Sequence, residues 1–202
     1  MNQLLLATNN RQKAGELRLL LANVPVEILT LEQFPSIDAI LEDQETLEGN
    51  ALKKARGVFR LTKVPTLADD SGLEVDYLNK GPGVYSSRYA GPSATYADNC
   101  KKLLLEMKGV PPRRRGAQFR CVLAFVAAPD FERIAQGTCL GAITEVLRGN
   151  LGFGYDPLFL PNGYEQTLAE MESSLKNKLS HRAKAIQNIQ PILSDFFACQ
   201  VM

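Results

Sequence analysis

Charge of one sign is not in excess in this sequence. Twenty-three Lys and Arg stand against 22 Asp and Glu, for a net charge of +1. That balance removes the bulk attraction to nucleic acid or to an anionic membrane surface that a basic protein would have. Long apolar runs are also missing. None approaches the ~20 residues that a membrane span requires. The N-terminus, Met-Asn-Gln-Leu-Leu-Leu-Ala, has neither a basic region nor a cleavage site, so no secretory signal is expected. Cysteine is scarce: Cys100, Cys121, Cys139 and Cys199 lie far apart and form no pair at metal-ligand spacing. Reduced thiols, rather than disulfides, and a cytoplasmic location are therefore expected. Histidine occurs once, at His181, and no nucleophile–histidine–acid set can be assembled around it, so covalent catalysis is not invoked. Internal repeats, low-complexity segments and linkers are absent too. Residues 1–202 read as a single domain, long enough to bury a sizeable core.

What is present centres on Leu67-Ala68-Asp69-Asp70-Ser71-Gly72-Leu73. Thr66 to Ala68 reads as a short strand and Leu73 to Val75 as a second, with turn chemistry at Asp-Ser-Gly between them. Two adjacent carboxylates repel, and one protonates unless a cation neutralises them. A hard cation suits them, because Mg²⁺ takes oxygen ligands and is usually held by one or two carboxylates together with substrate phosphates. Taken alone, the stretch also fits an acidic surface turn.

Upstream, Gln3 to Ala7 is a short apolar strand. Thr8-Asn9-Asn10-Arg11-Gln12-Lys13 follows, and Ala14, Leu17, Leu20 and Leu21 recur at helical spacing. The polar hexapeptide therefore caps a strand and opens a helix, with Asn9 or Asn10 as N-cap. Free N–H groups at such a start attract phosphate. Lys13 opposes the helix dipole there, which a bound anion explains better than helix stability does. The loop lacks the glycines of a Walker A sequence. Val26 to Leu29 reads as a strand, residues 32 to 46 as an acidic loop, and Leu47 to Leu61 as a helix with Asn50 and Lys54 one above the other.

Beyond the acidic stretch, residues 80 to 89 form a glycine- and aromatic-rich loop and Ala94 to Met107 a helix. Arg113-Arg114-Arg115 reads as a solvated charged turn. Residues 116 to 146 read as a long β-hairpin within an extended mixed sheet. Gly149 to Pro157 is a glycine-rich loop, and its Phe153 and Tyr155 offer flat faces on which a base can stack. Leu168 to Leu175 reads as helical. Ser180 reads as the N-cap of a last helix that Pro191 bends or restarts, with Lys176, Lys178, His181 and Arg182 clustered around its start.

In this order, Thr8-Asn9-Asn10-x-x-Lys13, Asn50-Ala51-x-x-Lys54-Ala55, Ala68-Asp69-Asp70-Ser71-Gly72-Leu73, Gly83-x-Tyr85-Ser86-x-Arg88-Tyr89, Phe153-Gly154-Tyr155-Asp156-Pro157 and Ser180-His181-Arg182 resemble the inosine triphosphate pyrophosphatases, from Leu4 to about Ile189. The resemblance implies an α/β fold with an elongated mixed β-sheet, flanking helices and two lobes around a central cleft. It also implies a Mg²⁺-dependent homodimer that cleaves ITP, dITP or XTP to the monophosphate and pyrophosphate.

The resemblance assigns Thr8, Asn9, Asn10, Arg11, Gln12 and Lys13 to a phosphate loop and Lys54 to a phosphate contact. Asp70 becomes general base and metal ligand, Asp69 beside it a second catalytic residue and metal ligand, Lys54 a catalytic lysine, and Glu42 a further metal ligand. Ser71, Phe153, Gly154, Tyr155, Asp156, Lys176, His181 and Arg182 become substrate contacts. Gly49 stands where the family often has Glu, Gln44 where glycine is common, and Asn9-Asn10 where glycine or proline is frequent, so the choice among Glu42, Asp43 and Glu45 stays open. His181 and Arg182 would donate to a 6-keto oxygen, and an adenine amino group would leave those donors unpaired. The competing readings are a nucleotide pyrophosphatase of other base specificity and a nucleotide-binding regulator without turnover. A nucleic-acid binder using Arg113 to Arg115 conflicts with the near-neutral charge.

Overall fold

The structure is a computed structural model, and it describes residues 2–199. Its strands are β1 (Gln3–Leu6), β2 (Glu27–Thr30), β3 (Thr66–Val75), β4 (Gly81–Pro82), β5 (Gly116–Ala128), β6 (Phe131–Ile143) and β7 (Phe159–Pro161). Its α-helices are α1 (Arg11–Leu20), α2 (Leu47–Thr62), α3 (Tyr96–Glu106), α4 (Ser173–Leu179) and α5 (His181–Ala198). The strands form one mixed sheet in the order β2-β1-β3-β5-β6-β7, with β4 paired to β3. β1 runs parallel to β2 and to β3, whereas β4 and β7 pair antiparallel with β3 and β6. The expected mixed α/β sheet and its long hairpin are both present.

The chain divides into two compact units. Among the described residues, the first comprises 2–70, 121–137 and 182–199. Its core gathers Leu4 and Leu6 of β1, Leu17 of α1, Leu67 of β3, Leu123 and Phe125 of β5, and Ile186, Ile189 and Phe197 of α5. Phe125 sits at the centre of an aromatic group, edge-on to Phe131 and Phe196 at 6.0 and 5.3 Å. Such tilted and edge-on pairs are the favoured arrangement of aromatic quadrupoles. The second unit comprises residues 71–120 and 138–181. Leu73 and Val75 of β3, Leu103 of α3 and Met107 just after it, Phe119 of β5 and Phe159 of β7 form its core.

Four local expectations are corrected. β3 is one ten-residue strand, without a turn at Asp69–Gly72. Its residues are buried on both faces, and tertiary context of that kind overrides the turn preference of Asp and Ser. Gly72 serves a close backbone approach: a Cβ there would lie 2.4 Å from the Gly83 carbonyl oxygen. The helix expected at 168–175 begins only at Ser173; before it, the Leu168 and Ala169 N–H groups bond to the Phe159 and Asp156 carbonyls, which ties this stretch to β7 and the turn ahead of it. α5 passes through Pro191 without a restart.

Arg115 is not solvated. It is 4% exposed, and its guanidinium donates to the carbonyls of Met107, Val110, Ile143 and Thr144, tying the end of α3 to the end of β6. A planar fork with five donors suits that task. The four cysteines are all free thiols, with only Cys199 exposed.

Candidate functional site

In the first unit, charged side chains from several elements gather around Asp69 and Asp70, in the middle of β3. Successive side chains of a strand point to opposite faces, so the two carboxylates meet different partners. Asp69 is fully buried. Lys13 of α1 approaches it to 3.0 Å and Arg182 of α5 to 3.6 Å, and Arg182 also binds Glu16. Burial would raise the Asp69 pKa, but the charges of Lys13, Arg182 and Lys54 overcome it and hold the carboxyl well below the usual range. Burial works the other way on Lys13, where Asp69 and Asp70 outweigh it and raise the ammonium pKa.

Asp70 faces Lys54 at 3.7 Å, and Lys54 also donates to Glu42 and, at 2.5 Å, to the Asp69 carbonyl. Burial pushes the Asp70 carboxyl above its ordinary value. Glu42 and Asp69 add to that shift, while Lys54 and Lys13 oppose it. Of the three upstream acids, only Glu42 bonds to Lys54. Asp43 is taken up by Lys53 at 2.6 Å, and Glu45 is exposed.

The start of α1 is arranged differently from a ring of free donors. Asn10 is the N-cap, and its side chain accepts the N–H groups of Gln12 and Lys13 at 3.0 and 3.1 Å. Thr8 Oγ1 accepts the N–H of Asn10, Asn9 is exposed, and Arg11 pairs on the surface with Glu32. The anion that Lys13 meets in this structure is Asp69, so the cost of a cation against the helix dipole is offset from within the chain.

Asn50 is fully buried one turn before Lys54. Its Oδ1 accepts the Gln44 N–H at 2.9 Å, and its Nδ2 makes no hydrogen bond. A buried donor in that state costs about 1–3 kcal/mol.

The second unit holds the remaining expected residues. Asp156 Oδ2 accepts both the Phe153 N–H, at 2.8 Å, and the Lys176 ammonium, at 2.7 Å. The Lys176 Nζ lies 4.8 Å from the Phe153 ring centroid, and Tyr96 lies on the same ring at 6.0 Å. Gly152 has φ +72°, and a Cβ there would fall 2.1 Å from Asp156 Oδ2. The loop therefore closes tightly around one carboxylate because residue 152 has no side chain.

Tyr155 differs from the flat, open face expected. It is 4% exposed, packs in the core, and donates its hydroxyl to the Ser86 carbonyl at 2.9 Å. Burial drives its pKa far upward. Ser86 in turn accepts the Leu73 N–H and donates to the Gly83 carbonyl. His181 is buried, with its ring stacked on Phe119 at 4.7 Å. Ser71 is half-buried, and Gly154 (φ +64°) has open space where a Cβ would be.

Glu16, Tyr96 and Phe119 are the residues that sequence reasoning missed. Glu16 lies three residues after Lys13, hence on the same helix face, a spacing that could have flagged it. The others join from separate elements and left no local signal.

Among the described residues no three His, Cys, Asp or Glu side chains stand close enough to form a ready-made metal cage. The carboxylates of Asp70 and Glu42 both meet at Lys54 and are oxygen-only donors. That set fits Mg²⁺, which is normally held by one or two carboxylates completed by water and substrate phosphates.

The fold places the chain among mixed α/β proteins of known structure. It superposes on a HAM1 protein from Coxiella burnetii with a TM-score of 0.87 and 36% identity, covering 96% of this chain and 100% of that one. Sequence comparison agrees: a "dITP/XTP pyrophosphatase" of Desulforamulus reducens is 43% identical over 198 residues, 98% of each chain. Another of the same name, from Xanthomonas oryzae pv. oryzae, is 45% identical over 192 residues, 94% of this chain and 96% of that one. The Ham1 family model matches residues 4–192, and the chain belongs to the Ham1 family.

Proposed function

We propose that this protein hydrolyses non-canonical purine nucleoside triphosphates (dITP, XTP and ITP) to the monophosphate and pyrophosphate. The similarity to dITP/XTP pyrophosphatases over nearly the whole chain supports the reaction and the substrate class. The observation that carries the chemistry is Lys54 bound at once to Glu42, the Asp69 carbonyl and Asp70. A buried lysine among carboxylates is a place where phosphate and a hard cation can exchange for internal partners.

Lys13 and Lys54 bind the triphosphate by exchanging their carboxylate partners for phosphate oxygens. Asp69 keeps Lys13 charged and oriented. Asp70 takes the proton of the attacking water, a role for which a carboxyl raised above its ordinary pKa is suited. Mg²⁺, held by Asp70 and Glu42, would neutralise charge on the leaving pyrophosphate and lower the pKa of bound water. Positioning and electrostatics account for most of what phosphoryl-type chemistry needs.

In the second unit, Phe153 supplies the face for the purine. Tyr155 and Asp156 hold the Phe153 loop in shape, and Lys176 and His181 supply donors. Arg182, which belongs to the first unit and follows His181 in the chain, is proposed as a donor for the 6-keto group. A homodimer in the cytoplasm is the proposed working form. No helix among the described residues is long and apolar enough to cross a membrane.

A panel of canonical and non-canonical triphosphates, assayed by pyrophosphate release with Mg²⁺ and with chelator, tests the proposal. Release confined to keto purines and dependent on Mg²⁺ is expected. Equal rates on ATP, or phosphate as the product, would overturn it.

A further inference from the structure

Residues 40–44 lie along α2 without any strand pairing, attached to it at successive points. A Cβ on Gly57 would lie 2.9 Å from Ile40 Cδ1, so that glycine makes room for the isoleucine. Lys54 bonds to Glu42, and Lys53 to Asp43 at 2.6 Å. Gln44 donates its backbone N–H to Asn50 Oδ1 at 2.9 Å, and its Cβ fills the space that a Cβ on Gly49 would occupy, 2.8 Å away. The segment thus descends the helix as the helix numbers fall from 57 to 49. A groove of about 470 Å³ remains along it, lined by Ile40, Gln44, Leu52, Lys53 and Arg56, so the strap is fixed by these points and not by continuous packing.

Of those attachments, the one from Asn50 differs in kind. The lysine contacts are ion pairs that a triphosphate or a cation can compete for. The Asn50 bond is neutral, made to the backbone, and its side-chain end is fully buried, so a triphosphate or cation has no charge there to compete for. We infer that Asn50 is a positioning residue: by pinning the Gln44 backbone to α2, it fixes where Glu42 stands when Lys54 turns to phosphate. This rests on the proposed role of Glu42 as a metal ligand. A residue that orients a ligand without touching the ion typically costs about 10–100-fold in metal affinity when removed.

The test uses the full-length protein with a non-hydrolysable α,β-methylene nucleoside triphosphate and Mn²⁺ as probe, its binding followed by electron paramagnetic resonance. Asn50→Ala is expected to weaken Mn²⁺ binding about 10–100-fold and to speed hydrogen exchange at the Gln44 amide. Asn50→Asp, which keeps the acceptor oxygen, should restore protection of that amide and most of the affinity. A merely structural asparagine would lower the melting temperature without moving either readout in the folded protein. Should Asn50→Ala fail to fold, Ile40→Ala loosens the strap from its partly exposed side and should weaken Mn²⁺ binding in the same direction.

Wild-type Mn²⁺ affinity in Asn50→Ala, where Glu42→Gln has lost it, overturns the inference. So does a Gln44 amide that stays protected in Asn50→Ala. Unchanged affinity in Glu42→Gln as well as in Asn50→Ala overturns the assignment of Glu42 instead, a result the exchange measurement separates from the first.

Discussion

The ammonium of Lys13 lies 3.0 Å from a carboxylate oxygen of Asp69, a side chain with no exposed surface. The two residues come from different elements, the first turn of α1 and the middle of β3. Arg182, from α5, reaches the same carboxylate oxygen at 3.6 Å, so one buried anion draws two cations together. Removing one partner of a buried ion pair leaves an uncompensated charge, at a cost of about 3–5 kcal/mol. Asp69→Asn is therefore expected to lower stability on that scale in denaturant unfolding and to weaken triphosphate binding. Wild-type stability would mean that the pair contributes little.

The same carboxylate gives a pH dependence with a definite sign. Its pKa is depressed in the folded protein below the ordinary range of a carboxylate. Its contribution is therefore fully present above the unfolded pKa and is lost as pH falls through the folded one. With chelator present, the stability difference between wild type and Asp69→Asn should hold constant through neutral pH and shrink below about pH 4. A gap that widens on acidification would contradict this.

Asp70→Asn should preserve nucleotide binding and reduce turnover by about 10²-fold or more, the usual scale for a general base. Isothermal titration with a non-hydrolysable analogue and steady-state assay on dITP check the two halves separately. Near-wild-type turnover would remove Asp70 from proton transfer.

Arg182→Ala should erode the preference for ITP over ATP, because a site that hydrogen-bonds one base edge rejects the other by leaving donors unpaired. The ratio of kcat/KM for the two triphosphates measures this. Since Arg182 also neutralises Asp69 and Glu16, the variant should unfold at lower denaturant than wild type.

In the second unit, Tyr155→Phe removes the bond to the Ser86 carbonyl and leaves a buried acceptor unsatisfied, for about 1–3 kcal/mol. The loop that carries Phe153 is anchored there, so KM for dITP should rise more than kcat falls. A drop in kcat alone would place Tyr155 in the chemistry instead.

Much of this arrangement was legible from the residues. Alternation along 117–125 announced the hairpin, and the cap of α1 was narrowed to Asn9 or Asn10, of which the structure uses Asn10. Adjacent aspartates with two lysines at helix positions announced a charged site. Local patterns failed where tertiary burial decides the outcome. Asp-Ser-Gly prefers a turn in isolation, but within β3 both faces are covered, and Lys13 and Lys54 satisfy the carboxylates. Arg115 looked like one of three solvated arginines, because four carbonyl partners from distant backbone leave no trace in its neighbours. Tyr155 and Phe153 looked equivalent, yet only one has a hydroxyl with a buried acceptor to reach.

Three of the four thiols are buried, and Cys100 is pushed up to about 11 by burial and the Asp156 charge. Cys199, just past the end of α5, is the exposed one. A maleimide dye would thus attach at a single place on the unmodified polypeptide, at the far end of the helix that begins with His181 and Arg182. The molecule carries its own handle for fluorescence studies of nucleotide binding, with no cysteine to engineer in or out.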